Sequence, residues 1–125
     1  MRITFAALAL AAGSLALPVQ AQSTMSLANF LETADRLERR GILALFSSDF
    51  KKLERDIESA SAHYRERLEA DKEAGRAPDA CPAGPVAISS DEILEHFRSY
   101  PQAQRSSVTV QRGFEDMIRQ TYPCS

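Results

Sequence analysis

From Leu27 onward apolar residues return every three or four positions, the period of a helix with one buried face, and the two-residue alternation of a strand holds nowhere. Ser26 can cap a first helix with Leu27, Phe30, Leu31, Ala34 and Leu37 inward, ended by Gly41. On its wet side Glu32 with Arg36 and Asp35 with Arg39 are acid-before-base pairs four apart. Ile42 to Phe46 is an unbroken apolar run, too short for a helix of its own, and reads as a buried corner. Ser47 or Ser48 then caps the longest helix, with Asp49 in the first turn where the helix dipole favours negative charge. Its stripe is Phe50, Leu53, Ile57, Ala60, Tyr64 and Leu68. Continued to Ala74, before Gly75, this helix measures about 39 Å at ~1.5 Å per residue. That exceeds the width of a domain of this size, so its last two turns are expected to project.

Gly75 to Ile88 is a Pro-rich loop around Cys81, carrying Pro78, Pro82 and Pro85. Ser89-Ser90-Asp91-Glu92 is a capping box, and Ile88 is placed to staple onto Ile93 one turn in. Ile93, Leu94 and Phe97 face the core of this third helix, which Pro101 forbids from continuing past Tyr100. After the link Gln102 to Arg105, Ser106 or Ser107 is the expected cap of a last helix with Val110, Phe114, Met117 and Ile118 inward. Gly113 costs that helix about 1 kcal/mol relative to Ala. It either admits a close neighbour or has no packing role. The fold class read from this pattern is all-α, a small bundle of about four helices.

The N-terminus changes the setting of that bundle. Arg2, the largely apolar stretch Ile3 to Leu17 with Gly13 and Ser14 within it, and Val19-Gln20-Ala21 together read as an export signal cleaved after Ala21. The stretch falls short of the roughly 20 apolar residues that span a bilayer, and no Cys follows the cleavage site to take a lipid. The expected organisation is a signal peptide over 1–21 and one helical domain over 22–125, periplasmic in a host with two membranes. Removing 21 of the 125 residues leaves 104, and only Arg2 among the charged residues goes with them. The remaining 14 Lys+Arg against 17 Asp+Glu give about −3, which excludes the basic footprint of a nucleic-acid binder. Insertion into the membrane after signal removal is not expected either. In an oxidising compartment Cys81 and Cys124 are expected to form a disulfide. On the chain-entropy model it contributes about 4 kcal/mol.

Candidate chemistry is sparse. Oxidised cysteines offer no thiolate nucleophile, the serines stand where helix starts need caps, and no GxSxG, HExxH or phosphate-binding glycine loop occurs. Glu92 and His96 share a helical face but offer no third ligand for a zinc ion, and His63 with Glu66 reads as a hydrogen-bonded boundary histidine. The acids are interleaved with Lys and Arg on wet faces, not the setting for a raised carboxyl pKa. The long helix, mixing Lys51, Lys52 and Arg55 with Glu54, Asp56 and Glu58, lacks the cationic face of a membrane-surface helix. No enzyme, metal or cofactor is expected. What remains is a surface for a protein partner, the candidates being Glu69 to Arg76, Ala77 to Ala87, and Arg98 to Arg105 with Tyr100 as an anchor.

Cys81-Pro82, a Ser-capped helix ending in Arg98-Ser-Tyr-Pro101, and a last helix closing with Tyr122-Pro123-Cys124 together resemble the Rap/Tai family of immunity proteins. The resemblance covers about residues 81–124. It implies an exported all-α domain with a Cys81–Cys124 bond, and a protein that binds and blocks peptidoglycan amidases delivered by type VI secretion. It also implies a possible homodimer. The family usually carries further cysteines that form a second bridge among the N-terminal helices, whereas Gln22 to Ala80 has none. No inhibitory residue can be carried over position by position. The alternative expectation is an envelope interaction protein that keeps the scaffold without inhibiting an amidase.

Overall fold

A computed structural model describes residues 25–125, and the expected signal with its cleavage after Ala21 lies outside the described residues. Four helices follow one another: α1 Leu27–Arg40, α2 Ser48–Glu73, α3 Ser90–Ser99 and α4 Val110–Thr121. Short 3₁₀ turns occupy Gly41–Phe46 and Gln102–Gln104. Among the described residues there is no strand, and the expected all-α bundle of four helices is what forms.

Each helix starts where a side-chain oxygen can take up a free backbone N–H. Ser26 accepts from Asn29, Ser47 from Phe50, Ser89 from Glu92 and Thr109 from Arg112. The Ser89–Glu92 capping box is complete, with the Glu92 carboxylate accepting from Ser89 N–H at 2.7 Å. α1 stops at Gly41, whose φ of 63° only glycine adopts without strain.

α4 lies along α2, and α1 and α4 each touch all three other helices, so the core sits between them. Leu27, Phe97, Val110 and Ile118 are completely buried, each contributing about 1.5–3 kcal/mol of hydrophobic stabilisation. Phe30 meets Phe97 edge to face at 5.3 Å between centroids. A Cβ at Gly113 would stand 3.0 Å from both Leu27 Cδ2 and Phe97 Cε1. Gly113 therefore has a packing role, letting α1 and α3 approach α4 at this point.

The disulfide forms between Cys81 and Cys124, with the Cα atoms 4.9 Å apart across a sequence separation of 43. Beside it the Cys81 N–H donates to the Tyr122 carbonyl at 2.8 Å. The loop after α2 and the C-terminal tail are thus joined covalently and by backbone.

Three expectations are corrected. The apolar run Ile42 to Phe46 is not a buried corner: only Ala44 is buried, while Ile42, Leu43, Leu45 and Phe46 are 78, 74, 52 and 83% exposed. A 3₁₀ turn spreads consecutive side chains around its axis at three per turn, so one residue can face the bundle and its neighbours cannot. The cap of α4 is Thr109 instead of Ser106 or Ser107, because the chain from Gln102 is consumed by a 3₁₀ turn and a backbone bridge before helix begins. Asp35 pairs with Arg98 of α3 at 2.9 Å, where Arg39 was the expected partner; Glu32 and Arg36 do pair, at 3.4 Å.

Candidate functional site: an apolar edge and groove

The corner Gly41–Phe46 packs against both α1 and α2, and its large apolar side chains turn outward while Ala44 faces in. Ser47 pins it from behind, its N–H and its hydroxyl both donating to the Ala44 carbonyl, at 3.0 and 2.7 Å. Next to the corner, α1, α2 and α3 enclose a groove of about 330 Å³. Phe30, Leu37, Phe50, Leu53, Ile57 and Leu94 supply its apolar walls, and Glu54 and Glu58 stand on its α2 side. Four large apolar side chains exposed on one short turn make a surface of the kind that marks an interaction site.

The three surfaces expected from the sequence are placed differently. In the link Arg98 to Arg105, the Tyr100 hydroxyl donates to Asp116 at 2.6 Å and Arg105 donates to the carbonyls of Tyr100 and Arg98 at 2.9 and 2.6 Å. Tyr100 is therefore an internal anchor of α3 onto α4, with its phenol pushed up by burial and by the Asp116 carboxylate. Loop 77–87 is held by the disulfide and by Asp79, which accepts from Arg67 at 3.0 Å and from Arg119 at 2.9 Å. Residues 69–76 are exposed apart from Asp71, which pairs with Arg76 at 2.7 Å. This end of α2 and the turn after it are open to solvent, while Arg67 and Leu68 just before them are held against the domain.

Arg67, Asp79, Arg119, Asp116 and Tyr100 thus make one charged seam from α2 through the loop to α4. Glu115 joins it at 3.5 Å from Arg67. Burial alone would raise Asp116 and Asp79, but the hydrogen bonds of Tyr100 and Arg119 to Asp116, and of Arg119 and Arg67 to Asp79, prevail, holding both below the ordinary carboxylate range. A general acid needs the opposite shift.

Glu92 and His96 line one surface pocket between α3 and α4, but the Glu92 carboxylate is already engaged. The Glu92 carboxylate is taken by the Ser89 N–H and hydroxyl, both at 2.7 Å. The His96 ring lies half-buried against Phe97 and Tyr100, and burial lowers its pKa against the pull of Asp116 and the Gly113 backbone. His63 is half-buried on α2 with Glu66 exposed one turn on. Among the described residues no group of three or more His, Cys, Asp and Glu side chains is arranged to hold a metal ion. No helix of the described residues is long and apolar enough to cross a membrane.

The apolar edge escaped the sequence reading because an apolar run is ordinarily core. The signal was nonetheless present: five consecutive apolar residues match neither helical nor strand period, so no single face could bury them all. No family model, curated protein or solved structure matches the chain.

Proposed function

We propose that the protein is a non-catalytic binding protein of the periplasm that offers the Ile42–Phe46 edge to a protein partner. One observation carries the reading: four large apolar side chains stand in solvent on a turn fixed by Ser47, beside an apolar groove. Apolar anchors held on a rigid turn bind at low entropic cost. The resemblance over residues 81–124 to the Rap/Tai immunity proteins supplies the most concrete partner, a peptidoglycan amidase effector whose active-site groove the edge plugs. The amidase reading predicts that a cell-wall amidase encoded beside this gene co-purifies with the protein and loses activity on peptidoglycan when it is added. Phe46→Asp should abolish both effects while far-UV circular dichroism stays unchanged. If another envelope protein is captured through the same edge and no amidase is inhibited, immunity is refuted and an envelope interaction role stands in its place.

A further inference from the structure

We infer that the groove lined by α1, α2 and α3 is a site for a small amphiphilic cation, a single alkyl chain or ring carrying an ammonium head. The groove is a consequence of the fold. α1 and α4 pack on every other helix, whereas α2 and α3 are the pair without a substantial contact of their own. Between them Phe30, Ala34 and Leu37 of α1 line the space and are themselves buried. Phe50, Ile57 and Leu94 are only half-buried, so apolar surface is left for an occupant. At about 330 Å³ the space stands at the low end of the roughly 300–1,000 Å³ of ligand pockets, the size for one chain or ring.

Charge names the head group. The ionisable residues that line the groove are Glu38, Glu54 and Glu58, with no Lys, Arg or His beside them among the described lining residues. Glu38 is already paired with Arg98 at 2.9 Å. Glu54 and Glu58, exposed and four apart on α2, form no ion pair among the described residues. Like charges at that spacing repel and weaken a helix. A cation seated against both relieves the repulsion, a neutral head leaves it standing, and an anionic head adds to it. The apolar walls take the chain and the two α2 carboxylates take the head.

This site goes beyond the proposed protein partner and leaves the Ile42–Phe46 edge free, so the two readings fail separately. The test is calorimetric titration with amide chemical-shift mapping of the full chain, purified without reductant. The probes are alkyltrimethylammonium ions below their micelle-forming concentrations, with alkyl maltosides and alkyl sulfates of the same chain length as neutral and anionic counterparts. The expected result is one-to-one binding whose Kd falls by up to about fourfold per added methylene until the groove is full. At low salt the cation should bind about three- to tenfold tighter than the neutral amphiphile, and the anion weaker than either. Glu54→Gln/Glu58→Gln should erase that preference and leave the neutral amphiphile's affinity unchanged. Leu94→Trp, which fills the groove, should abolish binding, and Phe46→Asp should leave it intact. The glutamine variants alter only exposed side chains, so they test the site even if Leu94→Trp folds poorly. No binding, or equal affinity for cation and anion, overturns the proposal. So does binding lost in Phe46→Asp and kept in Leu94→Trp, which places the amphiphile on the edge. Groove signals that move with an added protein or with self-association, and not with a monomeric amphiphile, assign the groove to a protein contact and overturn it as well. Cation binding in the groove with no protein captured through Phe46 overturns the proposed function and leaves this site standing.

Discussion

Ser26 and Thr109, the N-caps of the first and last helices, pair in an antiparallel bridge. Leu27 N–H donates to the Val108 carbonyl and Val110 N–H to the Met25 carbonyl, both at 2.8 Å, and Ala28 N–H donates to Arg105 at 3.0 Å. These are donors that the first turn of a helix leaves without an intrahelical partner, so each helix start is completed by the chain leading into the other. Two segments more than 80 residues apart are thereby set side by side, and Leu27 and Val110, next to the caps, are wholly buried.

That junction places Gly113 against α1 and α3. Gly113→Ala gains about 1 kcal/mol in helix propensity. Against this, its methyl meets Leu27 and Phe97 at 3.0 Å, and both are fully buried with nowhere to retreat. Overpacking of about 1–3 kcal/mol is expected to prevail, and Gly113→Val to be worse. Urea midpoints should fall for both; a rise for the alanine variant would mean that α1 and α3 can shift.

The disulfide joins the loop after α2 to the tail after α4. Reduction, or Cys81→Ser with Cys124→Ser, should lower stability by up to about 4 kcal/mol, because the unfolded chain regains the freedom of the closed loop. Denaturation with and without reductant measures the loss, and intact mass should rise by about 2 Da on reduction.

Tyr100→Phe removes the hydroxyl that donates to Asp116 at 2.6 Å and leaves packing unchanged. Asp116 keeps its contacts with Arg119 and Arg112, so the expected cost is about 1–2 kcal/mol. Asp116→Asn should cost more, since Arg119 and Arg112 then lose the charge they share. Equal midpoints for the two variants would show that the phenol, and not the carboxylate, organises the seam.

His96 makes stability depend on pH. Burial lowers its pKa in the fold, opposed by the charge of Asp116. The unfolded chain therefore takes up a proton near the ordinary value of about 6.5, before the folded one does. Its contribution is complete above that pH and is lost as pH falls through the lowered folded value. Urea midpoints measured downward from pH 7 should decline, and His96→Gln should flatten the decline above the range where Asp79 and Asp116 begin to protonate. An unchanged slope would exclude His96 as its source.

Much of the bundle was legible in the letters because helix starts, stops and faces are local. Ser26, Ser89 with Glu92, Gly41 and Pro101 act on neighbours within one turn, and the three- and four-residue spacing of Val110, Phe114, Met117 and Ile118 states which face is wet. The compartment argument from the N-terminal segment also made the Cys81–Cys124 bond an expectation, with only one pairing open. The candidate site was not legible in the same way. Tyr100 looked like a free anchor until Asp116, sixteen residues on, was found holding it.

What the sequence alone determined is therefore the four helices, their apolar faces and the one covalent tie, all set by interactions within a few residues or by the count of cysteines. The tertiary structure decided which of the apolar residues have a neighbour. Val110 meets Leu27 across a bridge and is buried, whereas Phe46, just as apolar, sits on a 3₁₀ corner whose inward position belongs to Ala44. Burial depends on what arrives from elsewhere in the chain, and nothing among the described residues arrives over Ile42–Phe46.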